Sequence, residues 1–90
     1  MADGLEADKS TLREFEGECE AFKARMDKGR KLLTDGINAA HAGWKDAGYD
    51  NVRKMVAAIG QEIENIETTV SGPVLAYVRE TINILDSRPY

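Results

Sequence analysis

Residues 42–48 read Ala42-Gly43-Trp44-Lys45-Asp46-Ala47-Gly48, two glycines set around the only tryptophan of a 90-residue chain. A glycine inside a helix costs about 1 kcal/mol relative to alanine, so this stretch punctuates the chain. Gly43 can take the left-handed conformation that ends one helix. Asp46 can cap the next, its carboxylate accepting from the first free N–H groups. Residues 42–46 are therefore read as a turn, with Gly43, Asp46 and Gly48 as its turn and capping residues.

Upstream of the turn, Leu12, Phe15, Cys19, Phe22, Met26, Gly29, Leu33, Gly36 and Ala40 follow alternating steps of three and four. That is the pattern of helices packed at a shallow angle. Leu32 and Ile37 widen the stripe, and Glu14, Glu16, Glu18, Glu20, Lys23, Lys28 and Lys31 form a face fit for water. A helix over about 10–41, starting near Asp8 or Ser10, is expected, roughly 45–50 Å long. Ser10 is its expected N-cap, with Arg13 in the slot that a capping box would give to Glu. Gly29 and Gly36, on the stripe, can admit a partner backbone or a large aromatic; otherwise they only weaken the last turns.

Downstream, Tyr49, Val52, Val56, Ile59, Ile63, Ile66 and Val70 form a second stripe over about 47–70, with Met55 at its flank. Arg53, Glu62, Glu64 and Glu67 fall beside or opposite it. Ser71-Gly72-Pro73 then breaks the pattern, because proline removes a backbone hydrogen bond and clashes with the preceding turn. Two outcomes are open: a kinked continuous helix, or a restart with Ser71 as N-cap and Pro73 in the first turn. Val74, Tyr77, Val78, Ile82 and Leu85 resume the stripe over about 74–86, and Arg88-Pro89-Tyr90 is a short tail. Strand-like alternation never persists. The expected fold is all-α: an antiparallel helical hairpin with a kinked or broken second arm, forming one domain.

Composition narrows the function. Hydrophobic residues make up 42% and charged residues 31%, too apolar for a disordered chain and too charged for a membrane one. No run approaches the ~18 apolar residues a spanning helix requires, so stable membrane insertion is not expected. The polar, acidic start from Met1 to Lys9 does not resemble an ordinary signal peptide, so the chain is expected to be cytoplasmic as made. A net charge of −4 argues against nucleic acid as partner. Lys23, Arg25, Lys28, Arg30 and Lys31 spread around their helix and read as a solvated face. Cys19 stands alone and reads as a small buried hydrophobe.

No chemistry assembles. His41, the single histidine, lies near a helix C-terminus, where it can meet free carbonyls and the dipole. One His and one Cys make no catalytic arrangement, the alternating glutamates make no metal cage, and the glycines open no phosphate loop. No enzyme activity, cofactor or metal is expected.

Two antiparallel helices bury one stripe against each other and leave its flanks in water. Here the stripes are wide, with Leu32 beside Leu33, Met55 beside Val56 and Tyr77 beside Val78. Such width suits a four-helix bundle, in which each helix touches two neighbours. A homodimer, or a heterodimer with a related hairpin, is the expected working state. Trp44, Tyr49, Phe15, Phe22, Met26, Val52, Ile59, Ile63 and Tyr77 are the candidate partner-binding residues. Trp44 can anchor a partner or plug the end of its own hairpin. A structural or adaptor coiled-coil module would use the same stripes.

The length, the tryptophan between two arms, and the run from Trp44 to Val52 resemble the WXG-type helical-hairpin proteins of type VII secretion, the early-secreted-antigen superfamily. The resemblance covers nearly the whole chain. It implies a small hairpin secreted by a type VII-like route, or an accessory partner that docks on the helical N-terminal domain of a larger secreted toxin. Two departures stand out. The third position of the Trp-any-Gly motif is Asp46, and the family's export signal, a Tyr followed four positions later by an acid, is missing: Tyr77 is followed by Thr81 and Tyr49 by Arg53.

Overall fold

The computed structural model describes residues 7–87; residues 1–6 of the acidic start and the Arg88-Pro89-Tyr90 tail lie outside them. Helix α1 (Lys9–Ala40) forms the first arm. Helix α2 (Ala47–Thr69), a π-helical turn (Val70–Val74) and helix α3 (Leu75–Asp86) run back as the second. There is no strand among the described residues. This is the all-α hairpin that the two stripes imply.

The helix ends differ from expectation in two places. Asp8, not Ser10, caps α1: its carboxylate accepts from the Ser10 N–H at 3.3 Å and from the Ser10 and Thr11 hydroxyls at 3.0 and 3.1 Å. These bonds hold the Asp8 carboxyl below the usual carboxylate range. At the other end, Gly43 is not in the left-handed region. The N–H groups of His41, Ala42 and Gly43 instead reach back three residues, tightening the last turn.

The molecule is a rod of 66 × 17 × 14 Å with a radius of gyration of 19.9 Å. A compact domain of this length would have about 12 Å. A rod has little interior: among the described residues the buried apolar ones are Cys19, Tyr49, Leu75, Val78 and Ile82, and none of the described side chains is fully enclosed. Three of the five sit on α3, so the far half of the second arm supplies most of the core. Leu12, Met26, Ile37, Val52, Val56 and Ile63 are half-buried along the same seam.

Of the two outcomes open at Ser71-Gly72-Pro73, the structure takes the continuous one. The helix widens rather than stops, and the Leu75 N–H bonds to the Val70 carbonyl, five residues back. Proline has no N–H to offer the carbonyl four residues before it, and a wider turn lets later donors reach back. Hydroxyls supply further donors nearby. Thr68, Thr69 and Ser71 each donate to the carbonyl four residues earlier, at 2.9, 3.1 and 2.8 Å. Such back-bonding bends helices. Ser71 is thus a donor within a bent helix and not the N-cap of a new one.

Because α3 carries most of the core, Ile82→Ala should cost about 2–4 kcal/mol of unfolding free energy. Ile84→Ala, two residues on and 41% exposed, should cost well under half of that. Urea unfolding followed by far-ultraviolet circular dichroism measures both.

Candidate interaction surface

Asp46 organises the tip. Its Oδ1 accepts from the Gly48 N–H at 2.8 Å, from the Tyr49 N–H at 3.4 Å and from the Trp44 indole Nε1–H at 2.8 Å. One oxygen therefore caps α2 and ties the indole to that cap. Trp44 is half-buried and meets the Tyr49 ring edge-on, with centroids 6.0 Å apart. Tyr49 is buried, and the His41 ring stacks on it with centroids 4.6 Å apart. His41 thus packs on Tyr49 instead of turning to the helix carbonyls. Gly48 matters for space: a Cβ there would lie 3.0 Å from Asp46 Oδ1 and 3.2 Å from Trp44 Cζ2. Trp44 serves its own hairpin while keeping part of its ring in water.

Along the shaft, the two broad sides of the hairpin differ. At 100° per residue, Phe15, Phe22 and Leu33 lie roughly 40–60° to one side of the α1 seam defined by Leu12, Cys19, Met26 and Ile37. Ile59, Ile66 and Met55 lie roughly 60–100° to the corresponding side of the α2 seam, and Tyr77 and Ile84 lie further round in the same sense on α3, roughly 130–150° from Leu75, Val78 and Ile82. In an antiparallel pair, flanks displaced in the same rotational sense share one side of the layer. All eight are exposed, from Phe22 at 38% to Tyr77 at 76%. Of the other expected partner-binding residues, Met26, Val52 and Ile63 are half-buried in the seam beneath this face, and Trp44 and Tyr49 stand at the tip.

The opposite side is polar and carries the ion pairs between the arms. Arg79 on α3 donates to Glu16 and Glu20 on α1, the first contact through Nε, the second through Nη2 at 2.9 Å. Arg30 approaches Glu64 at 3.5 Å, and Lys9 and Arg13 meet Asp86 where the arms end. The Lys9 ammonium, helped by Arg13, holds the Asp86 carboxyl below the usual carboxylate range, and Glu16 holds the Arg79 guanidinium's proton more tightly than usual. Exposed pairs of this kind are screened by solvent and contribute little to stability. They orient the arms more than they stabilise them.

Glu16 and Glu20, expected to face water only, thus serve the hairpin. Both stand on the edge of α1 that leads away from Phe15 and Phe22, but their periodicity does not say what the other arm sets against them. Glu67, expected beside or opposite the stripe, is buried in the seam at 6% exposure. No group of three metal-binding side chains occurs among the described residues, and no helix is long and apolar enough to cross a membrane.

Two glycine substitutions should separate the tip from the shaft. Gly60, inside α2, has open space where a Cβ would go, so Gly60→Ala should raise stability by up to about 1 kcal/mol. Gly48→Ala brings the same propensity gain but pushes on an oxygen already held by three donors, and should lower the melting temperature and red-shift Trp44 fluorescence. Thermal scans and emission spectra on both variants test this. In comparisons with known proteins, the chain matches no family model, no curated protein and no solved structure.

Proposed function

We propose that this chain is a non-catalytic protein-protein interaction module whose apolar broad side binds a second helical hairpin, with a copy of itself as the first partner to test. The observation that carries this reading is the exposure of Phe15, Phe22, Leu33, Met55, Ile59, Ile66, Tyr77 and Ile84 on one side of a rod with almost no enclosed core. Aromatic and aliphatic side chains arrayed over both arms are what a four-helix bundle buries. The thinness of the rod's own core supports the same conclusion, since small helical domains rarely gain more than about 3–5 kcal/mol from one core.

Shape supports a partner running head to tail. Phe15, Phe22 and Tyr77 lie in the half of the face remote from the tip. Gly29 and Gly36 lie in the half nearer the tip, with open space over both. Reversing one copy on the other sets bulky rings over notches at both ends. In the finer reading, which rests on the WXG-type resemblance of the Trp44 hairpin, the module works in a type VII-like secretion pathway. It would act there as a secreted hairpin or as the targeting partner of a larger toxin. An adaptor coiled-coil module is the alternative, and a neighbouring secretion ATPase or toxin gene would distinguish them.

Light scattering on the purified chain tests the docking face. We expect a dimer, converted to a helical monomer by Phe22→Glu or Tyr77→Glu. Gly29→Leu should raise helix propensity yet weaken association, because it fills a notch. A wild-type monomer that stays monomeric beside co-expressed neighbouring hairpins would sink the proposal.

A further inference from the structure

The hairpin is held at its two ends. At the tip, Tyr49 is buried against Trp44 and His41. At the other end, Leu75, Val78 and Ile82 of α3 are buried, as is Cys19 on α1. Ion pairs reinforce that end, where Arg79 meets Glu16 and Glu20 and where Lys9 and Arg13 meet Asp86.

Between the two lies a span with no enclosed apolar side chain. From Asp50 to Ile66 no residue of α2 is buried, and from Glu20 to Ala40 none of α1 is. That is roughly 25 Å of paired helix at 1.5 Å per residue. The inward residues Val52, Val56, Gly60 and Ile63 are only half-buried. A groove of about 340 Å³ runs between the arms here, lined among others by Arg30, Thr34 and Ile37 on α1 and by Val56, Ala57 and Gly60 on α2. Ala57 and Gly60 are too short to fill it, and a Cβ on Gly60 would meet nothing within 4 Å. Arg30–Glu64, at 3.5 Å, is the ion pair that crosses the span.

Where the span meets the bend, the seam carries a charged group in place of an aliphatic one. Glu67 is 6% exposed, and its Oε2 has no hydrogen-bond partner among the described residues. A buried carboxylate oxygen without a donor costs free energy that an apolar side chain of similar size does not. The π-turn around Pro73 follows at once, and it interrupts the regular backbone ladder between α2 and α3. The hold of α3 on α1 is therefore poorly transmitted to α2.

We propose that the α2 span from Asp50 to Ile66 lifts from α1 as a separate unit, hinged at the π-turn, while α3 stays packed on the first half of α1. Openings of this kind occur where few apolar contacts are buried. Leu33, Met55, Ile59 and Ile66 of the docking face stand on this span, so a partner that covers them also closes it. That consequence alone rests on the docking proposal.

Native-state amide hydrogen exchange of the full chain, resolved by residue with NMR, tests the unit. Amides from Val56 to Ile66 should be protected roughly tenfold less, or lower still, than those from Val78 to Ile82. Two substitutions separate local from global opening. Ile82→Val removes one methylene from α3 and should speed exchange there several-fold while leaving the span unchanged, because the span opens with α3 still packed. Glu67→Met sets an apolar side chain in the seam and should slow exchange in both regions, because global unfolding must also open the span. Phe22→Glu, the monomer of the docking test, should show the same weakly protected span, so the unit stands or falls separately from the docking face. Equal protection along the second arm, Ile82→Val speeding both regions alike, or Glu67→Met speeding the span would overturn the proposal.

Discussion

One oxygen atom, Asp46 Oδ1, sets the geometry on which the hairpin depends. A chain that reverses direction in a few residues must satisfy the free N–H groups of the returning helix and fix its heading. Asp46 does both, since the oxygen that caps α2 also receives the Trp44 indole. The indole is then edge-on to Tyr49, and Tyr49 is stacked on His41 at the end of α1. The arms are joined at the tip by this series of contacts, which runs from the capping oxygen through Trp44 and Tyr49 to His41, with Gly48 leaving room beside the oxygen.

From the tip onward, the hairpin divides its labour by side. Cross-arm ion pairs occupy one broad side, and aromatic and aliphatic side chains the other. The pairs are exposed and individually weak, so their main effect is to fix orientation. They also keep the polar side wet and unsuited to docking. Association, on our proposal, is thereby confined to the side that lacks them. A rod this thin has few other means of stabilisation: its enclosed apolar residues cluster on α3, beyond the bend.

Much of this was legible in the sequence, and the misses share a cause. Helix positions, the turn and the cap at Asp46 follow from local rules, because spacing and capping act within a few residues. Asp8 displaced Ser10 as the first cap since an aspartate there satisfies one N–H and two hydroxyls at once. Gly43 kept ordinary helical handedness because the last turn of α1 tightened instead of reversing. Glu67 and the Arg79 pairs could not be placed from periodicity, because whether a charge on the stripe's margin is buried depends on what the other arm sets against it. The side on which Phe15 and Tyr77 meet is likewise a property of two helices together.

The π-turn changes the phase of the arm that contains it. Its added residue lets Leu75, Val78 and Ile82 face α1 although proline has interrupted the ladder. A version of this arm lacking Pro73 would form a straighter and intrinsically better helix. It would also rotate α3 by about 100° and turn the main apolar cluster into water. The irregular turn is thus a spacer that keeps two halves of one helix in register, and the local defect preserves the fold.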